Sequence, residues 1–280
     1  MKLVTYDAGE GPRVGVLEDG GVADLGFEGD MVSFIAAGAP AAGERRPVDG
    51  ARLLAPLRPR SLRDFLAFEG HMQAALGRLG RPIPEEWYEV PAYYKGLPDT
   101  VIGPDEEIPW PAWIERLDHE LELGAVIGRR CRDVSAGEAV ECIFGYTIWN
   151  DVSARDVQAR ELPIGMGPGK AKDWDGSNVL GPCLVTADEL AADDLCMLVR
   201  VNGEVWGEDS TATMHWSFGD MIAYASRSQT LHPGELLGSG TATGGSGLEL
   251  DRRLEPGDLV ELEVEGIGVL RNRIGPKGGA

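Results

Sequence analysis

The chain has 280 residues, and its 26 lysines and arginines against 46 aspartates and glutamates give a formal net charge of −20. This acidic balance argues against binding to nucleic acid or to an anionic membrane, and it favours a soluble cytoplasmic protein. The length fits one large domain, or a small domain followed by a larger one.

The first 26 residues predict short strands joined by glycine-rich turns. Lys2–Tyr6 and Arg13–Leu17 have strand-like patterns, and Gly20-Gly21 is typical of a hairpin turn. Residues 30–40 indicate a short helix. The proline-containing segment from residue 54 to residue 60 is interpreted as a linker. We therefore predict a small β-rich N-terminal domain at residues 1–58 and a larger domain at residues 59–276.

Residues 61–76 predict a helix. Ser61 can cap its N-terminus, and Asp64 falls in its first turn. In such a helix His71 shares a face with Asp64, whereas Glu69 lies on the opposite face unless Gly70 breaks the helix. A lone histidine on a helix is more often structural than catalytic. The apolar residues at helical spacing are Leu62, Phe65, Leu66, Met72 and Leu76.

From about residue 100 onward the pattern is mostly that of strands with short connections. Phe218–Ser226 is a plausible short helix. The sequence thus predicts a mixed β fold with minor α content. The strand-like segments are Thr100–Gly103, Leu121–Ile127, Ile143–Trp149, Cys183–Thr186, Met197–Asn202 and Leu259–Val264.

Two glutamates and an aspartate indicate a metal site. Glu120 and Glu122 lie two residues apart in an apolar strand, so they point the same way, about 6–7 Å apart. Two buried carboxylates on one face are costly unless a positive group lies between them. A hard divalent cation with Asp151 as third ligand would meet this need. The alternatives are solvated glutamates on an edge strand and an Asp151 that only caps a turn.

Other polar residues are open to two interpretations. Lys170 and Lys172 lie in a glycine-rich loop, where lysines are usually solvated, but one could bind a substrate carboxylate or stabilise an oxyanion. His119 points away from the glutamates on the same strand and is interpreted as structural. His215 and His232 have no potential catalytic partner near them in the sequence.

Several classes of site and location are not supported. The glycine-rich stretch 238–247 lacks the spacing of a phosphate-binding loop, and the chain has neither a G-x-S-x-G motif nor a zinc-type cluster. There is no apolar signal-peptide core and no run of membrane-spanning length. The four separated cysteines favour buried free thiols in a reducing compartment; they are Cys131, Cys142, Cys183 and Cys196.

Taken in order and spacing, these segments resemble the fumarylacetoacetate hydrolase family over roughly residues 60–275. The resemblance is carried by Asp64–His71, Asp118–Gly128, Trp149–Gln158, Lys172 before Leu180-Gly-Pro, Leu231–Thr241, Pro256-Gly-Asp and Gly266–Asn272. It implies a β-sandwich roll of the fumarylacetoacetate hydrolase type, usually dimeric, with Mg²⁺, Mn²⁺ or Ca²⁺ at its mouth.

The resemblance also implies roles for individual residues. The metal ligands would be Glu120, Glu122 and Asp151, with Asp64 as a fourth. His71 would be the catalytic histidine, oriented by Glu249 or Glu69, and Lys172 the substrate-side lysine. The substrate contacts would be Gln158 and Thr241. One departure is Leu162, which stands where hydrolases of the family often have a tyrosine.

The activity implied by this resemblance is metal-dependent hydrolysis of a carbon–carbon bond. The substrate would be a small anionic acylpyruvate-type 1,3-dicarbonyl acid from aromatic or amino-acid catabolism. Decarboxylation, isomerisation, lyase and hydratase reactions on 2-oxo acids are alternatives. Another alternative is a non-catalytic relative that keeps its ion for structure, although the presence of His71 and Lys172 argues against it.

Overall fold

Strands dominate the computed structural model, which describes residues 1–18, 21–40, 45–78, 80–165 and 167–278. In chain order its strands are β1 (Lys2–Asp7), β2 (Arg13–Glu18), β3 (Gly21–Asp24), β4 (Arg46–Val48), β5 (Arg52–Leu54), β6 (Leu62–Phe65), β7 (Tyr93–Gly96), β8 (Val101–Ile102), β9 (Ile108–Trp110), β10 (Leu117–Asp118), β11 (Leu121–Ile127), β12 (Ile143–Asp151), β13 (Ser153–Ala154), β14 (Asn178–Thr186), β15 (Cys196–Val201), β16 (Glu204–Ser210), β17 (Leu236–Gly238), β18 (Leu259–Val264) and β19 (Gly268–Lys277). The predicted mixed β fold is confirmed.

The helices are short and lie between the strands. They are α1 (Met31–Ala36), α2 (Glu69–Gly77), α3 (Ala136–Val140), α4 (Arg155–Glu161), α5 (Phe218–Ala225) and α6 (Gly247–Leu250). The predicted helices near residues 30–40 and 218–226 are therefore confirmed. In the described ranges, no helix is long and apolar enough to cross a membrane.

Two sheets pack around a common core. The larger has twelve strands, ten of them in the order β4-β3-β2-β1-β14-β12-β11-β17-β6-β7, and the smaller has the order β16-β15-β18-β19-β9. Buried side chains of both sheets, among them Cys183 of β14 and Leu262 of β18, belong to one hydrophobic cluster. Because β1 pairs with β14, the N-terminal strands extend the large sheet. The predicted division between residues 58 and 59 stays a prediction.

The predicted helix over residues 61–76 is wrong in its first half. Leu62–Phe65 is a buried strand that pairs in parallel with β17 and antiparallel with β7, and α2 begins only at Glu69. A short apolar run fits a buried strand as well as a helix, and here both faces of the strand are covered. Ser61 does not cap a helix, because its hydroxyl donates to Glu235 at 2.9 Å.

The expectation of buried thiols is wrong for one cysteine. Cys131, Cys142 and Cys183 are buried, but Cys196 is exposed. Cys196 begins β15, whose alternation directs Met197 and the residues two and four positions later into the core. Gly20, part of the predicted hairpin turn, lies outside the described residues.

Candidate metal and active site

Three buried carboxylates from three strands of the large sheet meet at one point. Asp64 comes from β6, Glu122 from β11 and Asp151 from the last position of β12, and one oxygen of each lies within 4.8 Å of the others. The strand between β6 and β11 is β17, whose Gly238 leaves room for this cluster. A Cβ at Gly238 would lie 2.6 Å from Oε2 of Glu122 and 2.5 Å from the Trp149 ring. The chain therefore brings acidic groups together where a side chain on β17 would exclude them.

The electrostatics of this cluster call for a cation. Four carboxylate oxygens are buried and have no hydrogen-bond partner among the described residues: Oδ1 of Asp64, both oxygens of Glu122 and Oδ1 of Asp151. Burial, together with the neighbouring carboxylates, raises the pKa values of Asp64 and Glu122 well above their usual range. The pKa of Asp151 is raised to about 6, chiefly by burial. Unpaired carboxylate oxygens are the ligands that hard divalent cations prefer, so these residues can hold one.

Glu120 lies beside the cluster but is paired differently. Its Oε1 is 2.7 Å from Nη1 of Arg155, and its Oε2 contacts the Lys172 ammonium. Burial alone would raise the pKa of Glu120, but Arg155 and Lys172 lower it below its usual range. The structure thus distinguishes the two predicted ligands, because no lysine or arginine in the described part of the chain pairs with Glu122. A ligand role for Glu120 stays a prediction.

Lys172 links Glu120 to the metal cluster. Its ammonium is 2.5 Å from Oδ2 of Asp151 and 3.2 Å from the Asp151 backbone oxygen. Burial opposes the charged form, yet Asp151 and Glu120 raise the pKa of Lys172, so the group is a cation. Lys170, two residues earlier, is exposed. Of the two lysines considered from the sequence, only Lys172 lies at the site.

His71, near the start of α2, lies against Glu249. Its Nδ1 is 3.2 Å from Oε2 of Glu249, although the ring N–H is not aligned for a hydrogen bond. The Glu249 carboxylate is fixed because it accepts from the backbone N–H of Gly244 at 3.0 Å and from the Ser246 hydroxyl at 2.9 Å. Glu249 is therefore held in place beside the imidazole of His71.

Glu69, the other carboxylate considered for this role, faces elsewhere. Its Oε1 accepts from Nε2 of Gln73 at 3.2 Å and from the Tyr88 hydroxyl at 2.7 Å. Neither contact involves His71, whereas Glu249 lies beside the histidine.

Three further residues at the site were missed from the sequence. Arg155 donates from Nε to Oδ2 of Asp118 at 2.8 Å, and the same carboxylate accepts from the backbone N–H groups at the start of α6. The Tyr94 hydroxyl donates to Oδ2 of Asp151 at 2.7 Å. Asp118 and Arg155 lie in the segments that carry the family resemblance, so the sequence could have indicated them as site residues. Tyr94 reaches the site only through the pairing of β6 with β7.

Part of this arrangement lines a cavity of about 350 Å³, whereas Glu122, Asp151 and Glu249 do not belong to its lining. The predicted site residues that line it are Asp64, His71, Glu120, Gln158, Lys172 and Thr241. Gln158 accepts from Nη1 of Arg155 at 3.0 Å, and Thr241 is buried. Leu162 also lines the cavity, near its outer end. The lining of one cavity therefore contains Asp64 of the acidic cluster, the histidine and the buried lysine.

The chain matches known protein families over most of its length. The family described as fumarylacetoacetate (FAA) hydrolase C-terminal matches residues 61–275. This chain belongs to the fumarylacetoacetate hydrolase family. Residues 1–56 match a second family, described as Rv2993c-like, N-terminal.

Relatives of known structure and name show the breadth of this family. The chain is 32% identical to the mitochondrial oxaloacetate tautomerase Fahd2a of Rattus norvegicus, over 98% of this chain and 91% of that protein. The fumarylacetoacetate hydrolase of Exiguobacterium antarcticum has a TM-score of 0.84 at 28% identity, covering 98% of this chain and 99% of that one. The 5-carboxymethyl-2-hydroxymuconate delta-isomerase of Mycobacterium smegmatis has a TM-score of 0.80 at 31% identity, covering 98% and 99%. The family thus includes a hydrolase, an isomerase and a tautomerase.

Proposed function

We propose that this protein is a Mg²⁺-dependent hydrolase that cleaves a carbon–carbon bond in a small acylpyruvate-type 1,3-dicarbonyl acid. The observation that carries the proposal is the buried acidic cluster of Asp64, Glu122 and Asp151, which adjoins a cavity lined by Asp64, His71 and Lys172. Carboxylates alone, with few protein ligands, suit Mg²⁺, which usually keeps several waters; Mn²⁺ or Ca²⁺ could replace it.

Asp64, Glu122 and Asp151 would hold the cation, with Glu120 available as a further ligand. When bound, a divalent cation of this kind polarises carbonyl oxygens and neutralises developing negative charge. Lys172, already cationic through its carboxylate neighbours, would bind the substrate's anionic oxygens at the inner end of the cavity.

His71 would act as the general base. It takes a proton from water as the water oxygen adds to the distal carbonyl carbon, and Glu249, 3.2 Å away, stabilises the resulting imidazolium. The carbon–carbon bond then breaks, which leaves a carboxylic acid and the enolate of pyruvate. Return of the proton from His71 to the enolate carbon gives pyruvate and restores the free base.

The test is an assay of purified protein against a panel of acylpyruvates, with Mg²⁺, Mn²⁺, Ca²⁺ or a chelator. We expect equal amounts of pyruvate and carboxylic acid, only when a cation is present. His71→Ala and Glu122→Ala should both abolish turnover, while only Glu122→Ala should lose metal binding. Full activity in His71→Ala would overturn the assignment of the base.

A second candidate is isomerisation or keto–enol tautomerisation of a 2-oxo acid. Two observations favour it: relatives at 31% and 32% identity have isomerase and tautomerase names, and Leu162 stands in the lining of the cavity. A leucine offers no hydroxyl to a substrate. In the same assay this reaction would change the enol absorbance of the substrate, including oxaloacetate, without releasing two products.

A further inference from the structure

The lining of the cavity is charged at its inner end and apolar at its outer end. At the inner end, Lys172 and Arg155 are 4% and 6% exposed. At the outer end, Leu66 and Leu162 are 37% and 51% exposed, so they form the part of the wall that an entering molecule meets first. The inner end is therefore charged and the mouth is open and apolar.

The apolar character of the mouth comes from several separate elements. Leu66 follows β6, Leu76 lies on α2, Leu162 follows α4 and Leu248 belongs to α6, and each lines the cavity. Because four chain segments contribute, the apolar part of the lining is not a single exposed side chain. A methylene group that such a wall removes from water strengthens binding about fourfold.

The cations of the lining are already engaged at the inner end. Arg155 contacts Asp118, Glu120 and Gln158, while Lys172 contacts Glu120 and Asp151. Among the described residues that line the cavity there is no other lysine or arginine. A second carboxylate on the substrate, placed at the mouth, would lose water and meet no positive partner, which is unfavourable.

From this polarity we infer the substrate class: a 2-oxo acid with one anionic end and an uncharged, apolar substituent at the other. The inference rests on the proposed function for the identity of the anionic end. The 2-oxo acid head binds at the inner end, near Lys172, and the substituent lies against Leu66, Leu76, Leu162 and Leu248. A dicarboxylic substrate of equal length is discriminated against.

Binding of two matched probes tests the inference independently of turnover. The probes are 2-oxoadipate and 6-methyl-2-oxoheptanoate, in which a branched alkyl end replaces the terminal carboxylate at the same chain length. Calorimetric titration with Mg²⁺ present should show the alkyl probe binding at least tenfold more tightly. Equal affinity, tighter binding of 2-oxoadipate, or no binding of either probe would overturn the inference.

Two arginine variants make the test specific to the mouth. Leu162→Arg places a cation on the cavity wall and should reduce the preference for the alkyl probe at least fivefold by improving 2-oxoadipate binding. Ile164→Arg is the matched control, because Ile164 belongs to the same short 3₁₀ turn, is 77% exposed and is not part of the lining. It should leave the preference unchanged. An equal effect of both variants would show that general charge, not the wall, sets the preference.

Parallel kinetics separate the two proposals. Acylpyruvates with alkyl and with carboxyalkyl acyl groups are compared by kcat/KM. Turnover with a preference for the carboxyalkyl substrate would contradict the apolar-substituent inference and leave the proposed function intact. Absence of all turnover, with the alkyl probe still preferred in calorimetry, would contradict the proposed function and leave the inference intact.

Discussion

Replacement of Glu122 by glutamine should separate metal binding from folding. Glu122 is fully buried, and within the described ranges neither of its carboxylate oxygens has a hydrogen-bond partner. Burial, with Asp64 and Asp151 nearby, raises its pKa well above the usual range, which favours the neutral form in the metal-free protein. Glutamine is close in shape to that neutral form. We therefore expect the free energy of unfolding of the metal-free protein to change by no more than about 1 kcal/mol.

The effect of metal should differ sharply between the two proteins. A ligand at 100 times its Kd stabilises the folded state by about 2.7 kcal/mol. An unfolding entropy of about 2.1 cal/mol/K per residue, over 280 residues, gives about 0.6 kcal/mol/K. Saturating Mg²⁺ should therefore raise the Tm of the wild-type protein by about 4–5 °C. In Glu122→Gln most of this increase should disappear, because one anionic ligand is lost.

Differential scanning calorimetry, with chelator and with Mg²⁺, measures both quantities. Glu263→Gln is the matched control, because Glu263 lies on β18 of the other sheet and pairs with Arg200 at 2.6 Å. Its Mg²⁺-dependent increase in Tm should equal that of the wild type. If Glu122→Gln keeps the full increase, or if its metal-free form unfolds, the account of the carboxylate cluster is refuted.

Three other predictions concern neighbouring residues. Burial raises the pKa of Asp151 from 3.8 to about 6, so ionisation of this group disfavours folding of the metal-free protein. As pH rises from about 4 to above 6, Asp151→Asn should therefore gain about 3 kcal/mol of stability relative to the metal-free wild type, at about 1.36 kcal/mol per pKa unit. Urea unfolding at several pH values measures this difference in stability, and a difference that does not change with pH would contradict the prediction. Gly238→Ala should abolish the Mg²⁺-dependent rise in Tm, since its Cβ would press on Glu122; calorimetry with an intact rise would contradict the role of this glycine. Glu249→Gln should lower kcat about 10²–10⁴-fold if it supports His71 as base, with Mg²⁺ affinity unchanged; steady-state kinetics and titration check this, and an unchanged kcat would remove Glu249 from the mechanism.

The fold was predictable from the sequence where the apolar pattern of a segment fitted only one kind of secondary structure. The continuous apolar run Leu121–Ile127 and the run that ends at Trp149 are strands, paired with Glu122 opposite Trp149. The segment 61–76 was not predictable, because Leu62–Phe65 is short enough to fit either period. The parallel pairing with β17, whose residues lie 174 positions further along the chain, decides that this segment is a strand.

The arrangement of the site residues was likewise only partly predictable from the sequence. Asp64 and His71 were singled out for the right region but on a wrong geometric basis, since one lies on a strand and the other on a helix. The alternation rule placed Glu120 and Glu122 together, yet Arg155 and Lys172 engage only the first of them. Such pairings depend on loops that fold onto the sheet, which no local pattern records.

The proposed function requires that a cation held by the buried carboxylates enables cleavage of an acylpyruvate. The most direct measurement is pyruvate and carboxylic acid release from an alkyl acylpyruvate by chelator-treated protein, titrated with Mg²⁺. We expect no products without the cation, and equimolar products that saturate at the Mg²⁺ concentration that saturates the increase in Tm. Products at full rate in chelator, or none at saturating cation, would contradict the account.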